Sequence, residues 1–245
     1  MQTRNPFSLA DKTILVTGAS SGLGRQIAIS CSKMGAKLVI TGRHVERLNE
    51  TFQLLEGENH RQHAADLTQS DQIYSLVDFA QRVDGVVHST GIQKMAPVRL
   101  LDKSVLSEVI EANFVAPVML TQRLLYKSAI APSGSVVLLS SMSARIGTAG
   151  LAPYASTKAA LHGFMRCLAL EQAKRKIRVN CIVPSVVETP MWPNGIGLEP
   201  QRAVHPFGLG TPDDVANAAI YLLSDASRWV TGSELVMDGG FIMAG

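Results

Sequence analysis

The chain has 245 residues, of which 46% are hydrophobic and 18% are charged, and its formal net charge is +3. This mixture is typical of a folded globular protein and excludes a disordered chain. The small net charge, with both signs interspersed, gives no argument for nucleic-acid binding. We find no uninterrupted run of 18 apolar residues that would predict a membrane span. The first thirteen residues lack the apolar segment of a secretory signal, so we expect a cytoplasmic protein.

Apolar runs alternate with helical patterns along the whole chain. Strands are predicted at 13–17, 37–41, 61–65, 85–89, 135–140, 178–183 and 234–237. Helices are predicted at 23–34, 45–55, 70–82, 104–126, 154–175 and 213–224, with Pro117 as an awkward residue inside the fourth. Buried strands that alternate with helices predict a parallel sheet covered on both faces. We therefore expect an α/β fold, a Rossmann-type doubly wound sandwich with a seven-stranded parallel sheet, and a single domain over 1–245.

A glycine-rich turn, TGASSGLG at 17–24, lies between the first predicted strand and the first predicted helix. Gly18 permits the tight turn, Gly22 lets the backbone approach a pyrophosphate, and Gly24 lets the helix pack close to the sheet. The N–H groups and positive dipole end of the helix would then face the phosphates. The residues predicted to bind a dinucleotide here are Gly18, Ser20, Ser21, Gly22, Leu23 and Gly24.

The end of the second predicted strand bears on which dinucleotide binds. An NAD site normally has a carboxylate there for the ribose 2′-hydroxyl. Here the strand ends in Gly42, and Arg43 follows. A guanidinium suits a 2′-phosphate, so we favour NADPH or NADP as the cofactor and keep NAD as the alternative.

Tyr154 and Lys158, in the sequence YASTK, lie four residues apart on a predicted helix. Their Cβ atoms should therefore be about 5–6 Å apart on one helix face. An ammonium at that distance favours the phenolate, so we expect the pKa of Tyr154 to lie below its ordinary value of about 10. Such a phenol could act as a general acid toward an alkoxide that forms at a carbonyl. Together with the dinucleotide turn, the pair predicts hydride chemistry.

The order of these motifs resembles that of the short-chain dehydrogenase/reductase family in its single-domain form. The likeness runs from LVTGASSGLG through Asp66-Leu67, Asn113, Ser141 and YASTK to RVNCIVPSVVETPM and VTGSELVMDGG. In its general character the sequence is most similar to 3-oxoacyl-(acyl carrier protein) reductases and related carbonyl reductases. The resemblance implies an NAD(P)-dependent enzyme, a 3-oxoacyl thioester as the leading substrate, an acyl carrier protein as a partner, and a homotetramer.

The resemblance also implies roles for individual residues. Ser141 would bond the substrate carbonyl and Tyr154 would donate the proton. Lys158 would lower the pKa of that phenol and hold the nicotinamide ribose, while Asn113 would hold a water that passes protons to the lysine. Further implied cofactor contacts are Asp66, Leu67, Ser89, Thr90, Gly91, Pro184, Val187 and Thr189. Ser143 is a nearby hydroxyl, and Trp192, in the loop over 186–210, would offer the substrate an apolar wall.

Two segments depart from the family pattern. His88-Ser89-Thr90-Gly91 replaces the usual Asn-Asn-Ala-Gly, and we expect cofactor binding to survive because the serine and the glycine remain. Pro184-Ser185 replaces the usual Pro-Gly, which we expect to stiffen the loop at the nicotinamide. His205, in the same loop, is a candidate to face a ligand. No histidine occurs at a metal-ligand spacing, so no metal site is predicted.

Several alternatives stay open at this point. The substrate could be a sugar, a sterol or another secondary alcohol, with NAD as the cofactor. A different class of function is a non-enzymatic sensor that binds a dinucleotide and a protein partner. The basic residues at 174–176 with Arg178 could be a solvated cluster or a landing surface for an acidic carrier protein. The three cysteines lie in apolar patterns, which predicts that all are small core residues.

Overall fold

The computed structural model describes residues 5–189 and 198–243, and its centre is one parallel sheet. The strands are β1 Thr13–Val16, β2 Lys37–Gly42, β3 Arg61–Ala64, β4 Val83–His88, β5 Ile130–Leu139, β6 Arg178–Pro184 and β7 Glu234–Met237. Their order is β3-β2-β1-β4-β5-β6-β7, so the chain reverses its direction of winding between β1 and β4. Ligands bind outside the carboxyl ends of strands at such a point. The predicted fold class is confirmed.

Helices cover both faces of this sheet. They are α1 Gly22–Lys33, α2 Val45–Gln53, α3 Ser70–Ala80, α4 Lys103–Ile110, α5 Ala116–Tyr126, α6 Ala152–Glu171, α7 Leu198–Val204 and α8 Pro212–Leu223. One apolar cluster contains Leu120 of α5 and Leu161 of α6. The other contains Ile27 of α1 and Leu222 of α8. The sheet is thus the middle layer of three.

The alternating direction of side chains along the central strands explains why there are two apolar clusters. In β1, Leu15 belongs to the cluster under α5 and α6, whereas Ile14 and Val16 belong to the cluster under α1 and α8. Successive side chains of a strand point to opposite faces, so a run that is apolar at every position fills both. This is why the continuous apolar runs predicted the parallel sheet correctly.

The helix predicted at 104–126 is interrupted. A π-helical turn at Glu111–Val115 separates α4 from α5, and the Ala116 N–H donates to the carbonyl of Glu111 five residues earlier. Pro117 lies in the first turn of α5. Proline has no N–H to give to the carbonyl of Asn113, four residues before it, so an α-helical ladder cannot continue through this point. Single π turns of this kind are frequent at functional sites.

The stretch Lys103–Tyr126 is also long and apolar enough to cross a membrane, judged by length and composition. The same test is passed by core helices, so it is weak evidence. Here Leu120 and Leu124 pack in the core under the sheet, and 39% of the most apolar window is buried. The stretch still contains no uninterrupted run of 18 apolar residues, because Glu108, Glu111 and Arg123 lie within it.

The environments predicted for Cys167 and Arg178 are wrong. Cys167 is exposed on α6, whereas the other two cysteines are buried as predicted. Arg178 does not join a surface cluster, because its guanidinium is buried and donates to the carbonyls of Leu222 at 2.6 Å and Ser224 at 3.1 Å. These carbonyls end α8 and the turn after it, so Arg178 is a structural residue that satisfies a helix C-terminus.

Candidate active site

A cavity of about 850 Å³ lies at the carboxyl edge of the sheet, where the order of strands reverses. It is lined by the segments that follow β1 to β6, and by α6 and α7. Of the residues predicted from the sequence, those on its wall are Gly18, Ser20, Ser21, Gly22, Leu23, Gly24, Arg43, Asp66, Leu67, Ser89, Thr90, Gly91, Ser141, Ser143, Tyr154, Lys158, Pro184, Val187 and Thr189. Asn113 lies behind the wall, and Trp192 lies outside the described residues.

The N-terminus of α1 opens into this cavity. Ser21 is the N-cap residue, but its side chain makes no capping hydrogen bond, and the first turn contains no acidic residue. The first N–H groups of a helix need partners from outside it. They and the helix dipole therefore suit the phosphates of a dinucleotide.

The end of β2 gives a second indication of the cofactor. A Cβ at Gly42 would overlap the hydroxyl of Ser20, so an acidic side chain at this position would require that hydroxyl to move. The Ser20 hydroxyl is itself buried and has no hydrogen-bond partner among residues 5–189 and 198–243. Arg43 and Arg47 line the same part of the cavity. An unpaired buried hydroxyl in a part of the cavity that also carries two exposed arginines fits an anionic oxygen, such as that of a ribose phosphate.

The Asp66-Leu67 segment is held by local bonds. One carboxylate oxygen of Asp66 accepts from the Thr68 N–H at 3.1 Å and the Thr68 hydroxyl at 2.9 Å. The Asp66 N–H donates to the side chain of Gln72 at 2.7 Å. These bonds fix the carboxylate at the cavity wall, where the resemblance placed an adenine contact.

Thr17 is a residue of the site that the sequence analysis did not select. Its fully buried hydroxyl accepts from the N–H groups of Ser89 at 3.1 Å and Thr90 at 3.4 Å. It thereby ties the loop after β4 to the glycine-rich turn after β1. The signal was present, since Thr17 directly precedes Gly18, but its partners are far away in the sequence.

Asn113 lies in the π turn and reaches the loop after β4. Its side-chain oxygen accepts from the Ile92 N–H at 2.7 Å, and its amide nitrogen donates to the Ile92 carbonyl at 2.9 Å. The same nitrogen donates to the hydroxyl of Thr157 on α6 at 3.2 Å. Asn113 is fully buried. In the structure its side chain braces the loop and α6 against each other, and the implied water relay stays a prediction.

Ser141, Tyr154 and Lys158 meet on the cavity wall. Ser141 follows β5, and its hydroxyl lies near enough to the phenol of Tyr154 on α6 to lower the pKa of that phenol. The Lys158 ammonium lies 5.7 Å from the centre of the Tyr154 ring and donates to the carbonyl of Leu139 at 2.7 Å. One turn of helix and the end of one strand therefore bring a hydroxyl, a phenol and an ammonium together.

The pKa expected for Tyr154 is wrong in direction. Burial raises the pKa of the phenol above its ordinary value of 10, and the nearby Ser141 hydroxyl opposes this only in part. Burial also lowers the pKa of the Lys158 ammonium to about 8. Removal from water disfavours the charged form of each group. Tyr154 is consequently a neutral phenol at pH 7, which is the form that can donate a proton.

Comparison with known proteins identifies the family. Residues 18–242 match the family model described as enoyl-(acyl carrier protein) reductase. The chain belongs to the short-chain dehydrogenase/reductase family. As a member it is an NAD(P)-dependent oxidoreductase, so the alternative of a sensor without catalytic activity is not retained.

Three relatives illustrate the range within this family. The (2S)-[(R)-hydroxy(phenyl)methyl]succinyl-CoA dehydrogenase subunit of Thauera aromatica is 31% identical, over 96% of this chain and 98% of that one. The 3-oxoacyl-[acyl-carrier-protein] reductase of Rickettsia felis is 30% identical, over 97% and 99%. A crystal structure described as an NAD(P)-dependent gluconate 5-dehydrogenase from Beutenbergia cavernae, with NADP bound at low occupancy, has a TM-score of 0.88 at 32% identity, over 98% and 100%.

His88, in the first departure from the family pattern, braces β4. The Thr121 hydroxyl donates to the carbonyl of Pro117 at 2.8 Å, so its oxygen is left to accept from Nε2 of His88, also at 2.8 Å. Burial lowers the pKa of His88 to about 3, which keeps the ring neutral. The usual amide is thus replaced by a neutral imidazole that ties β4 to α5 of this enzyme.

Ser185, which belongs to the second departure from the family pattern, helps to hold α7 in place through His205. Its hydroxyl lies 2.8 Å from Nε2 of His205, and Nδ1 of that ring donates to the carbonyl of Gln201 at 2.6 Å. The His205 ring is buried and stacks on Phe241 with 4.8 Å between ring centres. His205 therefore does not face a ligand, as the sequence suggested, but holds the cavity-lining helix against the end of β6.

Burial of the Lys158 ammonium is expected to lower the stability of the folded enzyme, although the same group serves the reaction. Below about pH 8 the folded enzyme holds an ammonium away from water, and the shift from 10.5 to about 8 corresponds to roughly 3 kcal/mol of lost stability. Between about pH 8 and 10.5 only the unfolded chain retains the proton, so stability recovers as the pH rises. We expect Lys158→Met to raise the free energy of unfolding at pH 7, with a smaller gain at pH 9.5, measured by urea denaturation.

The exposed Lys174 provides the control, since Lys174→Met should change stability little at either pH. A Lys158→Met enzyme that is less stable at pH 7, or whose difference from wild type is the same at both pH values, would contradict the burial argument.

No group of three or more His, Cys, Asp or Glu side chains in the described part of the chain is arranged to hold a metal ion.

Proposed function

We propose that this enzyme transfers a hydride between NADPH and the ketone of a 3-oxoacyl thioester. The observation that carries the proposal is one cavity with two chemically different ends. Ser141, Tyr154 and Lys158 lie on its wall at one end, and the unpartnered Ser20 hydroxyl lies beside Arg43 at the other. We treat residues 1–245 as a single catalytic unit, since all seven strands belong to one sheet.

The protein's own part in the reaction is to hold an oxygen and deliver a proton. NADPH, when bound, supplies the hydride. As negative charge grows on the carbonyl oxygen, the hydroxyls of Ser141 and Tyr154 donate hydrogen bonds to it, and the phenol of Tyr154 gives up its proton. The ammonium of Lys158 then stabilises the phenolate that is left. Donors that are already in place within a largely dry site are worth several kcal/mol to such a step.

NADPH rather than NADH is proposed from the end of β2. Gly42 supplies no carboxylate where an NAD site normally has one, and the bound NADP of the Beutenbergia structure supports the same choice. Arg43 and Arg47 form no ion pair among residues 5–189 and 198–243, so neither has a carboxylate to displace.

Arg43→Ala should lower kcat/KM for NADPH by about 10- to 100-fold, which is the range of one charge-assisted hydrogen bond. The value for NADH should stay the same, because that cofactor has no 2′-phosphate. Steady-state rates with both cofactors check this, with Arg99→Ala as a control away from the cavity. An equal loss with both cofactors would mean that Arg43 acts on something other than the phosphate.

A thioester substrate is favoured by the cavity wall around the hydroxyls. Met142, Ile146, Leu151, Val204 and Phe241 give this part of the cavity apolar walls. Such walls suit an acyl chain better than a sugar, which needs many polar partners. Two of the relatives also act, by their names, on a carrier-linked or a CoA-linked acyl group.

The test is a panel of substrates, with the turnover of each measured from the absorbance of the reduced nicotinamide. We expect a 3-oxoacyl-CoA or carrier-linked thioester to give a kcat/KM well above that of a sugar ketone, a sterol ketone and a small alkyl ketone. A higher kcat/KM for a sugar would replace this proposal with a sugar dehydrogenase.

A carrier protein, a tetramer and a cytoplasmic location complete the proposal. Of the predicted landing surface, Lys174 and Lys176 are exposed, whereas Arg175 donates to the carbonyl of Ile130. Exposed apolar residues on two long helices, Tyr126 on α5 and Leu170 on α6, support contact between subunits. Light scattering of the purified enzyme tests the tetramer.

A further inference from the structure

Three polar side chains form a chain behind the catalytic helix. Ser140 directly precedes Ser141, His162 follows Lys158 by one helical turn, and Glu234 begins β7. The Ser140 hydroxyl lies 2.7 Å from Nε2 of His162, and Nδ1 of that ring lies 3.1 Å from a carboxylate oxygen of Glu234. Ser140 and His162 are buried. We refer to Ser140, His162 and Glu234 as the α6 relay.

The order hydroxyl, imidazole and carboxylate also occurs in hydrolytic triads. Here, however, the hydroxyl oxygen has a second neighbour, because it lies 3.0 Å from the backbone carbonyl oxygen of Lys158, which can only accept a hydrogen bond. Ser140 borders the cavity, but only 4% of the residue is exposed and its hydroxyl is engaged by both neighbours, so it is not placed to attack a substrate. The relay ends on the backbone of the catalytic lysine.

The protons available to the relay can be counted. The Ser140 hydroxyl has one proton, and the carbonyl of Lys158 can only accept. The carboxylate of Glu234 also only accepts, so Nδ1 of His162 carries a proton. If the ring is neutral, Nε2 must accept from Ser140, and the carbonyl of Lys158 loses this donor. If the ring is an imidazolium, Nε2 donates to Ser140, whose proton then goes to Lys158.

Charged groups on several elements face His162. Glu234 on β7 raises the pKa of the ring, whereas Arg145 after β5 and Arg166 on α6 lower it. Burial is the largest effect and also lowers the pKa from its ordinary value of 6.5. On β6 the nearby Cys181 stays a neutral thiol, since its pKa is raised to about 12. The neutral ring therefore prevails at pH 7, and acidification produces the imidazolium.

We infer that the α6 relay is a proton-dependent positioning device, in which protonation of His162 turns the Ser140 hydroxyl onto the carbonyl of Lys158. In that state the end of β5, which carries Ser141, is bonded directly to the backbone of the helix that carries Tyr154 and Lys158. A direct bond between the two elements holds the three groups in one relative geometry, which favours turnover. The inference rests on the catalytic roles proposed above.

A structural readout that needs no substrate tests the switch itself. Lys158–Ala159 is the only Lys-Ala dipeptide in the chain, so protein labelled with ¹³C-carbonyl lysine and ¹⁵N-alanine gives a single selected carbonyl signal. In wild type we expect this signal to titrate with the same pKa as the ring of His162. In Ser140→Ala the ring should still titrate while the carbonyl signal no longer follows it.

A carbonyl signal that ignores the titration of His162, or follows it equally in Ser140→Ala, would overturn the inference. This result is independent of turnover. If no thioester is reduced but the carbonyl signal behaves as expected, the proposed substrate fails and the relay stands.

Kinetics then test the consequence. The ratio of kcat in wild type to kcat in Ser140→Ala should rise by about 2- to 10-fold as the pH falls through the pKa of His162, the effect of one ordinary hydrogen bond. Arg166→Gln, at an exposed side chain, should move this inflection to higher pH, and Glu234→Gln should move it to lower pH. A ratio that does not change with pH, or an inflection that stays in place while the pKa of His162 moves, would refute the positioning role.

Discussion

Replacing Tyr154 with phenylalanine is expected to lower kcat by about 10²- to 10⁴-fold, the usual contribution of a general acid. The substitution removes only the phenolic oxygen, and the ring still fills its place on α6. The Ser141 hydroxyl and the Lys158 ammonium remain on the cavity wall. Affinity for NADPH should therefore be retained, which fluorescence titration of the reduced cofactor can measure.

Tyr74→Phe is the matched control, because it makes the same change at an exposed position on α3. It should keep the turnover and stability of wild type. Single-turnover rates separate the chemical step from product release in all three proteins. If Tyr154→Phe reduced its substrate at a rate within a few-fold of wild type, another group would have to donate the proton.

Gly24→Ala is expected to have the second large effect, on cofactor binding. An added Cβ would overlap the carbonyl oxygen of Gly18 and lie 2.7 Å from its carbonyl carbon and 3.0 Å from the carbonyl oxygen of Thr17. All three atoms are backbone, so α1 must move away from the turn that it completes. A displacement near 1 Å at such a site can cost about 100-fold in kcat/KM, and the crowding should cost about 1–3 kcal/mol in stability.

Gly163→Ala on α6 is the control for this change. A Cβ there would meet no atom within 4 Å, and alanine in a helix interior is more stable than glycine by about 0.5–1 kcal/mol. Calorimetric titration with NADPH and urea unfolding of both variants give the comparison. Unchanged affinity for NADPH in Gly24→Ala would show that close packing of α1 on the turn is not needed to hold the phosphates.

The sheet and the dinucleotide turn could be predicted because their signals are local. Apolar runs such as 13–17 predict buried strands on their own, and the glycines at 18, 22 and 24 lie within one turn. Tyr154 and Lys158 share a helix face through their spacing alone. The start of β5 was harder to predict. The strand begins at Ile130, before the predicted residue 135, because its pairing with β4 continues past a register shift between Val83 and Gly85. That pairing depends on β4 and not on the local sequence of β5.

The electrostatics of the site could not be predicted in the same way. The spacing of Tyr154 and Lys158 indicates an attraction that lowers the pKa of the phenol, but the structure also buries that phenol, and burial acts more strongly. The partners of His162 come from the end of β5 and from β7, so no local pattern reveals them. Pro117 did indicate an irregularity, yet only the structure shows a π turn that carries Asn113.

The most direct test of the proposed reaction follows one isotope. The enzyme is supplied with NADPH that carries deuterium at the transferable C4 position and with a 3-oxoacyl thioester, and the 3-hydroxyacyl product is analysed by mass spectrometry and NMR. We expect one deuteron on the carbinol carbon of the product in wild type and in Tyr74→Phe, with almost no product from Tyr154→Phe. A product without deuterium at that carbon, or oxidation of NADPH with no reduced thioester, would contradict direct hydride transfer to this ketone.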